Sequence, residues 1–290
     1  MSCNNKSPLD RAAPFAAVMF VVAFVAPALA PLVGIHPAPA AVAAAAAAPA
    51  VTAPAASAPV CSGPAGLAHL NYPLQRTARR IAGGEPLTIV AIGSSSTAGA
   101  GASSPAANYP SRLAVELTQR FPGHDVTVLN RGINGEVTAQ MLARFATDVV
   151  AVQPDLVLWQ VGTNSVLRDH PLDQHSALLH QGIEQLKTIG ADIVLIDMQY
   201  APKVLEKSET ASMEDQIALT AKQESVDLFG RFALMRNWHE ALHIPFEDFV
   251  APDQLHQNDW SYACVAKLLA SAIGEAATRP VASAAARPGH

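Results

Sequence analysis

Between Ala12 and Gln75 the chain carries no Asp, Glu, Lys or Arg, and most of that stretch is Ala, Pro and Val. It inflates the apolar fraction to 50% of 290 residues and makes the mean hydropathy positive. Those totals therefore do not signify a membrane protein. The apolar run Phe15 to Ala26 holds roughly twelve residues, short of the about twenty that a membrane-spanning helix needs. Runs of basic residues are missing too, and the formal net charge is -5. Arg76, Arg79 and Arg80 share one helix face, which reads as a solvated face. Nucleic acid is excluded as a partner on this balance. Cysteine is scarce, with three in all. No internal repeat is present.

What the N-terminus does contain is the pattern of an export signal. Lys6 and Arg11 precede the apolar run, Pro14 and Pro27 bound it, and Ala28-Leu29-Ala30 resembles a cleavage site. Pro31 would hinder the peptidase there, so cleavage falls either at that point or after Ala40, or fails and leaves a membrane anchor. Residues 1–35 are thus read as a signal peptide or anchor, 36–60 as an Ala/Pro linker and 61–275 as the folded domain. Residues 276–290 read as a mobile tail, because such segments bury too little to offset their ordering entropy. An exported chain, periplasmic or secreted, would lose Cys3 with its signal and keep Cys61 and Cys264. An even count in an oxidising compartment predicts a disulfide between them, with two unrelated buried thiols as the alternative.

Strand and helix signals alternate through the domain. Leu87–Ile92, Val126–Leu129, Leu156–Trp159, Ile193–Ile196 and Val226–Phe229 are short apolar runs rich in β-branched residues. Helical spacing occupies Tyr109–Phe121, Val137–Phe145, His175–Ile189, part of Ser212–Glu224, and Tyr262–Ile273. Continuous apolar runs belong to strands covered on both faces. The fold predicted is a three-layer α/β/α sandwich around a parallel sheet of about five strands in flavodoxin-like order. Ligands in such sheets bind outside the carboxyl ends of the strands.

Four polar clusters fall at those ends. Gly93 to Gly99 contains Ser94, Ser95 and Ser96, small residues that let the chain turn sharply and present a hydroxyl beside free N–H groups. Taken alone it is as well an ordinary Ser/Gly loop, and it lacks the Gly-Lys-Ser/Thr ending of a phosphate loop. Asn130 to Thr138 includes Gly135, where the backbone can approach an anion closely. Gly162 to Ser165 includes Asn164, whose amide can face a developing oxyanion. In Asp253-Gln254-Leu255-His256 the carboxylate can reach one imidazole nitrogen and leave the other for a serine proton. The bland alternative for each of the last three is turn chemistry at the surface.

Taken together, Gly93-Ser94-Ser95, Gly135, Asn164 and Asp253-x-x-His256 resemble the GDSL-type (SGNH) hydrolase family in order and spacing. The resemblance runs from about Leu87 to Ile273. It implies a serine esterase with Ser95 as nucleophile, His256 as base and Asp253 as its orienter. The Ser95 and Gly135 N–H groups and the Asn164 side chain would form the oxyanion hole. It implies no metal and no cofactor, and an ester of a small molecule or a glycan as substrate. Two positions depart from the pattern: Ser94 and Ser165 stand where the family usually has Asp. Met198, Tyr200 and Trp238, after the later strands, are expected to line the substrate pocket and favour an apolar acyl group.

Three other readings compete. An O-acyltransferase would use the same triad, and a catalytically dead binding module would account for the two lost acidic residues. The run His239-Glu240-Ala241-Leu242-His243 spells a zinc-protease pattern. Pro245 should end a helix there, and no third ligand follows at the customary spacing, so that pattern is read as a polar helix end. His170, His175 and His180 recur every fifth residue and are read as solvent-facing.

Overall fold

The computed structural model describes residues 58–279. The segment read as an export signal, most of the stretch read as a linker and residues 280–290 of the expected tail lie outside the described residues. Five strands form one sheet: β1 (Leu87–Gly93), β2 (Val126–Gly132), β3 (Leu156–Gln160), β4 (Asp192–Ile196) and β5 (Asp227–Phe229). Their order is β2-β1-β3-β4-β5 and every pairing is parallel. The flavodoxin-like arrangement read from the sequence is thus the observed one. All residues of β3 are buried, as are all but one of β1, because helices cover both faces. Register places Gly93 beside Gly132 and Ile92 beside Trp159, so the first three strands end level at one edge of the sheet.

Local chemistry fixes the helices that frame this edge. Asn108 accepts the Ser111 N–H and starts the helix Tyr109–Arg120, and Asn258 accepts the Ser261 N–H and starts Asp259–Thr278. The two helices pack together on one face of the sheet. Helix Gln75–Gly83, which carries the three arginines, is held by charge. Arg76 Nε and Arg80 Nε each donate to Asp155 Oδ1 at 2.8 Å, and Asp155 Oδ2 accepts the Thr88 N–H at 3.0 Å. Burial works to raise the Asp155 pKa, but the Thr88 N–H and the two guanidiniums outweigh it and hold the carboxylate low. Two of the three arginines assigned to a solvated face are therefore tethers between the first helix and the sheet.

Cys61 and Cys264 form a disulfide, with Cα atoms 5.4 Å apart. The indoles of Trp238 and Trp260 donate to the carbonyls of Ser62 and Pro59, so the entering chain is fastened on both sides of the bridge.

Three expectations need correction. The last helix continues through Thr278, and Ala276 and Ala277 are buried, so the tail begins later than residue 276. The small apolar side chains that made this stretch look like the linker here pack against the domain. His175 is not solvent-facing. It is 2% exposed and its Nδ1 meets Gln216 Oε1 at 3.3 Å. Met198 and Trp238 are fully buried in the core and line no open pocket, while Tyr200 stands at a cavity of about 630 Å³ with Asp197, Glu214 and Glu240.

Candidate active site

Ser95 is the first residue of a single helical turn, Ser95–Ala98, that begins two residues past the end of β1. Three groups hold this turn. The Ser94 N–H and hydroxyl both donate to Gln160 Oε1, at 2.8 and 2.9 Å. Asn130 Nδ2 donates to the Thr97 carbonyl at 2.8 Å. Gly132 provides the space: a Cβ there would stand 2.1 Å from the Ala98 nitrogen, so only glycine lets β2 end against this turn.

The loop Asp253–His256 reaches the turn from the opposite side. Gln254 takes the left-handed conformation (φ 60°), which tightens the loop. Asp253 Oδ1 accepts the N–H groups of Leu255 and His256, at 3.0 and 2.9 Å, and Oδ2 lies 2.5 Å from His256 Nδ1. His256 Nε2 then lies 2.8 Å from Ser95 Oγ. Burial acts to raise the Asp253 pKa, but the bonds from His256 and Leu255 prevail and keep it below the usual carboxylate value. A carboxylate so placed fixes the tautomer with Nδ1 protonated and leaves Nε2 free to accept.

Gly135 has φ +78°, and its carbonyl is held by Arg168 Nη2 at 2.6 Å. Its N–H and that of Ser95 have no acceptor among the described residues. Asn164 Nδ2 gives one hydrogen to the Glu136 carbonyl at 2.9 Å, and an amide nitrogen carries a second. Glu136 is in turn paired with Arg144, which also donates to the Arg131 carbonyl at 2.7 Å. The carboxyl ends of β1, β2 and β3 therefore supply Ser95, Gly135 and Asn164, and the loop before the last helix supplies Asp253 and His256.

The zinc-type run is arranged differently. A π-helical turn covers Asn237–Ala241, and His243 lies beyond it in a left-handed conformation (φ 54°). His239 Nδ1 faces the Ile244 carbonyl at 3.0 Å while its ring stacks on Phe246, and Glu240 accepts the Tyr200 hydroxyl at 2.8 Å. These side chains are engaged with the fold, and among the described residues no group of three His, Cys, Asp or Glu could hold a metal ion.

Sequence reasoning missed Gln160, Arg144 and Arg231, whose side chains bond Ser94, Glu136 and Ser96 beside the site. None lies in a motif, and no local spacing marks them.

Comparison with known proteins places the chain among esterase-like sequences and folds. The sequence model of the Non-GDSL lipase-like family matches residues 60–279. An arylesterase from Vibrio mimicus is 35% identical over 95 residues, which cover 33% of this chain and 46% of that enzyme. An acetylxylan esterase from Geobacillus stearothermophilus is 25% identical over 168 residues, covering 53% and 75%. Among solved structures, a two-domain esterase described as active on acetylated mannans aligns with a TM-score of 0.61 at 21% identity, covering 73% of this chain and 56% of that one. The acetylxylan esterase Axe2 from Geobacillus stearothermophilus aligns at 0.55 and 20%, covering 65% and 94%. The alignment thus spans about half the length of the arylesterase and of the two-domain esterase.

Proposed function

The chain belongs to the Non-GDSL lipase-like family, and from that premise we propose that it is a serine hydrolase of acyl esters, exported from the cell. The observation that carries this reading is the continuous contact Ser95 Oγ to His256 Nε2 (2.8 Å) and His256 Nδ1 to Asp253 Oδ2 (2.5 Å).

In this reading His256 Nε2 takes the hydroxyl proton as Ser95 Oγ bonds to the ester carbonyl carbon. Asp253 stays ionised and stabilises the imidazolium. The carbonyl oxygen, now an oxyanion, is met by the Ser95 N–H, the Gly135 N–H and the free Asn164 hydrogen. As the tetrahedral centre collapses, His256 returns its proton to the departing alcohol and an acyl group remains on Ser95. Water then attacks the acyl carbon as His256 takes one of its protons, and collapse of this second tetrahedral centre breaks the bond to Ser95 Oγ, returns that proton to it and releases the acid. One preorganised donor of this kind lowers the barrier by about 2.7–4 kcal/mol. Asn164→Ala should therefore lower kcat by about a hundredfold to a thousandfold.

For substrate, we propose a short acyl ester, with an acetylated glycan as the natural class. The support is the relationship to an acetylxylan esterase that is matched over 75% of its length. The disulfide supports export, since such bonds persist in oxidising compartments. Among the described residues no helix is long and apolar enough to cross a membrane. The test is turnover of a short-chain chromogenic ester by the purified chain, followed by acetate release from acetylated xylan and mannan. Activity on the chromogenic ester with none on either glycan would refute the substrate class alone. Faster acyl transfer to an added sugar than to water would make the enzyme an acyltransferase.

A further inference from the structure

Arg231 follows β5 and has no solvent exposure, yet its guanidinium meets five partners. Nη1 donates to Ser96 Oγ at 3.0 Å and to Gln257 Oε1 at 3.3 Å. Nη2 donates to the Asp197 carbonyl at 2.6 Å and to Gln199 Oε1 at 3.1 Å, and Nε to the Met198 carbonyl at 3.4 Å. Gln199 extends the set, accepting the Thr163 hydroxyl at 2.9 Å and donating to the Leu255 carbonyl at 3.3 Å. Ser96 adjoins Ser95, Gln257 adjoins His256 and Thr163 adjoins Asn164. Arg231 thus binds the sequence neighbours of Ser95 and His256 directly, and reaches the neighbour of Asn164 through Gln199.

A buried cation is costly, and a structure retains one only with compensating charge and bonds. Compensation comes from Asp197 and Glu214. Burial raises the pKa of both, the Asp197 charge raises Glu214 further, and the same charge favours the cationic form of Arg231. Asp197 Oδ1 also accepts the Phe232 N–H at 2.8 Å, which anchors the helix that carries Arg231.

We propose that Arg231 is a positioning residue that holds the Ser95 turn and the His256 loop at hydrogen-bonding distance from each other. A planar guanidinium suits this task because its donors diverge in fixed directions, whereas an ammonium is a point charge on a flexible stem. The inference rests on the proposed roles of Ser95 and His256. Displacing one reacting group by about 1 Å can cost on the order of a hundredfold in rate.

The test compares wild type, Arg231→Lys, Arg231→Met and Ser95→Ala, each checked for folding by circular dichroism. Read-outs are kcat and KM on a short-chain chromogenic ester and the rate at which a fluorophosphonate labels Ser95. Arg231→Met should lower kcat and labelling on the order of a hundredfold, with KM within about threefold of wild type. Arg231→Lys should recover part of both. If Arg231→Met does not fold, the double variant Ser96→Ala with Gln257→Leu cuts the Nη1 links while keeping the buried charge, and should show the same fall in kcat. A folded variant with wild-type kcat and labelling overturns the inference while leaving the esterase reading intact. An active Ser95→Ala overturns the esterase reading, and the inference with it.

Discussion

Ser94 directs both its N–H and its hydroxyl at a single acceptor, Gln160 Oε1, from 2.8 and 2.9 Å. Where the GDSL-type pattern usually has Asp, this chain has a hydroxyl on a strand-end glutamine. Gln160→Leu should then be the damaging change, because it leaves two buried donors unsatisfied at about 1–3 kcal/mol each. Ser94→Ala removes one bond and should cost about 1 kcal/mol, with most turnover retained. Denaturant unfolding of both variants checks this. Equal stability losses would contradict it.

The Cys61–Cys264 bridge closes a sequence separation of 203 residues. Reduction should destabilise the domain by about 2–4 kcal/mol, the typical range for a disulfide. Thermal melts with and without reductant give the measurement. Peptide mapping that recovers both thiols free from the native protein would remove the bridge from the account.

His175 gives the fold an acid sensitivity. Burial above all, with the charge of His170, pulls the pKa from 6.5 to about 4, against the bond that His175 Nδ1 donates to Gln216 Oε1. Between those values the unfolded chain binds the proton and the folded one does not. The contribution of His175 to stability is therefore complete above about pH 6.5 and is lost as pH falls towards 4. The wild type should lose on the order of 3 kcal/mol more than His175→Gln across this interval. Parallel pH dependence in the two proteins would show that His175 is not the cause.

His239, Glu240 and His243 should contribute nothing through a metal. Extended chelation should leave ester turnover unchanged, and His239→Ala should act through the lost stacking on Phe246, changing kcat only severalfold. Loss of activity on chelation, restored by zinc, would contradict the proposed mechanism.

Much of the fold was legible because buried parallel strands such as Leu156–Gln160 read as unbroken apolar runs. Strand ends then located the polar clusters: Ser95, Gly135 and Asn164 follow β1, β2 and β3, and the Asp253–His256 loop brings His256 to Ser95. What stayed illegible depends on partners far away in sequence. Arg76 and Arg80 looked solvated because Asp155, which accepts from both, lies more than seventy residues on. Arg231 has no motif around it, and its partner Ser96 lies 135 residues earlier. His175 looked solvent-facing because a spacing of five matches no helix face, and its partner Gln216 lies on a later helix. The continuation of the last helix past Ile273 was missed because alanine that packs and alanine that does not are the same in composition.

The central claim concerns three adjacent serines, of which one hydroxyl meets His256. Ser94 Oγ is committed to Gln160 and Ser96 Oγ to Arg231, while Ser95 Oγ lies 2.8 Å from His256 Nε2. The most direct measurement is ester turnover by Ser94→Ala, Ser95→Ala and Ser96→Ala, with mass-spectrometric mapping of a fluorophosphonate adduct on wild type. Ser95→Ala should lose turnover by several orders of magnitude, as in other triads, and the adduct should sit on Ser95 alone. Ser94→Ala should keep most of its activity, and Ser96→Ala, which loses the bond from Arg231, should still turn over far faster than Ser95→Ala. Near-normal turnover by Ser95→Ala, or an adduct on Ser94 or Ser96, would contradict the account.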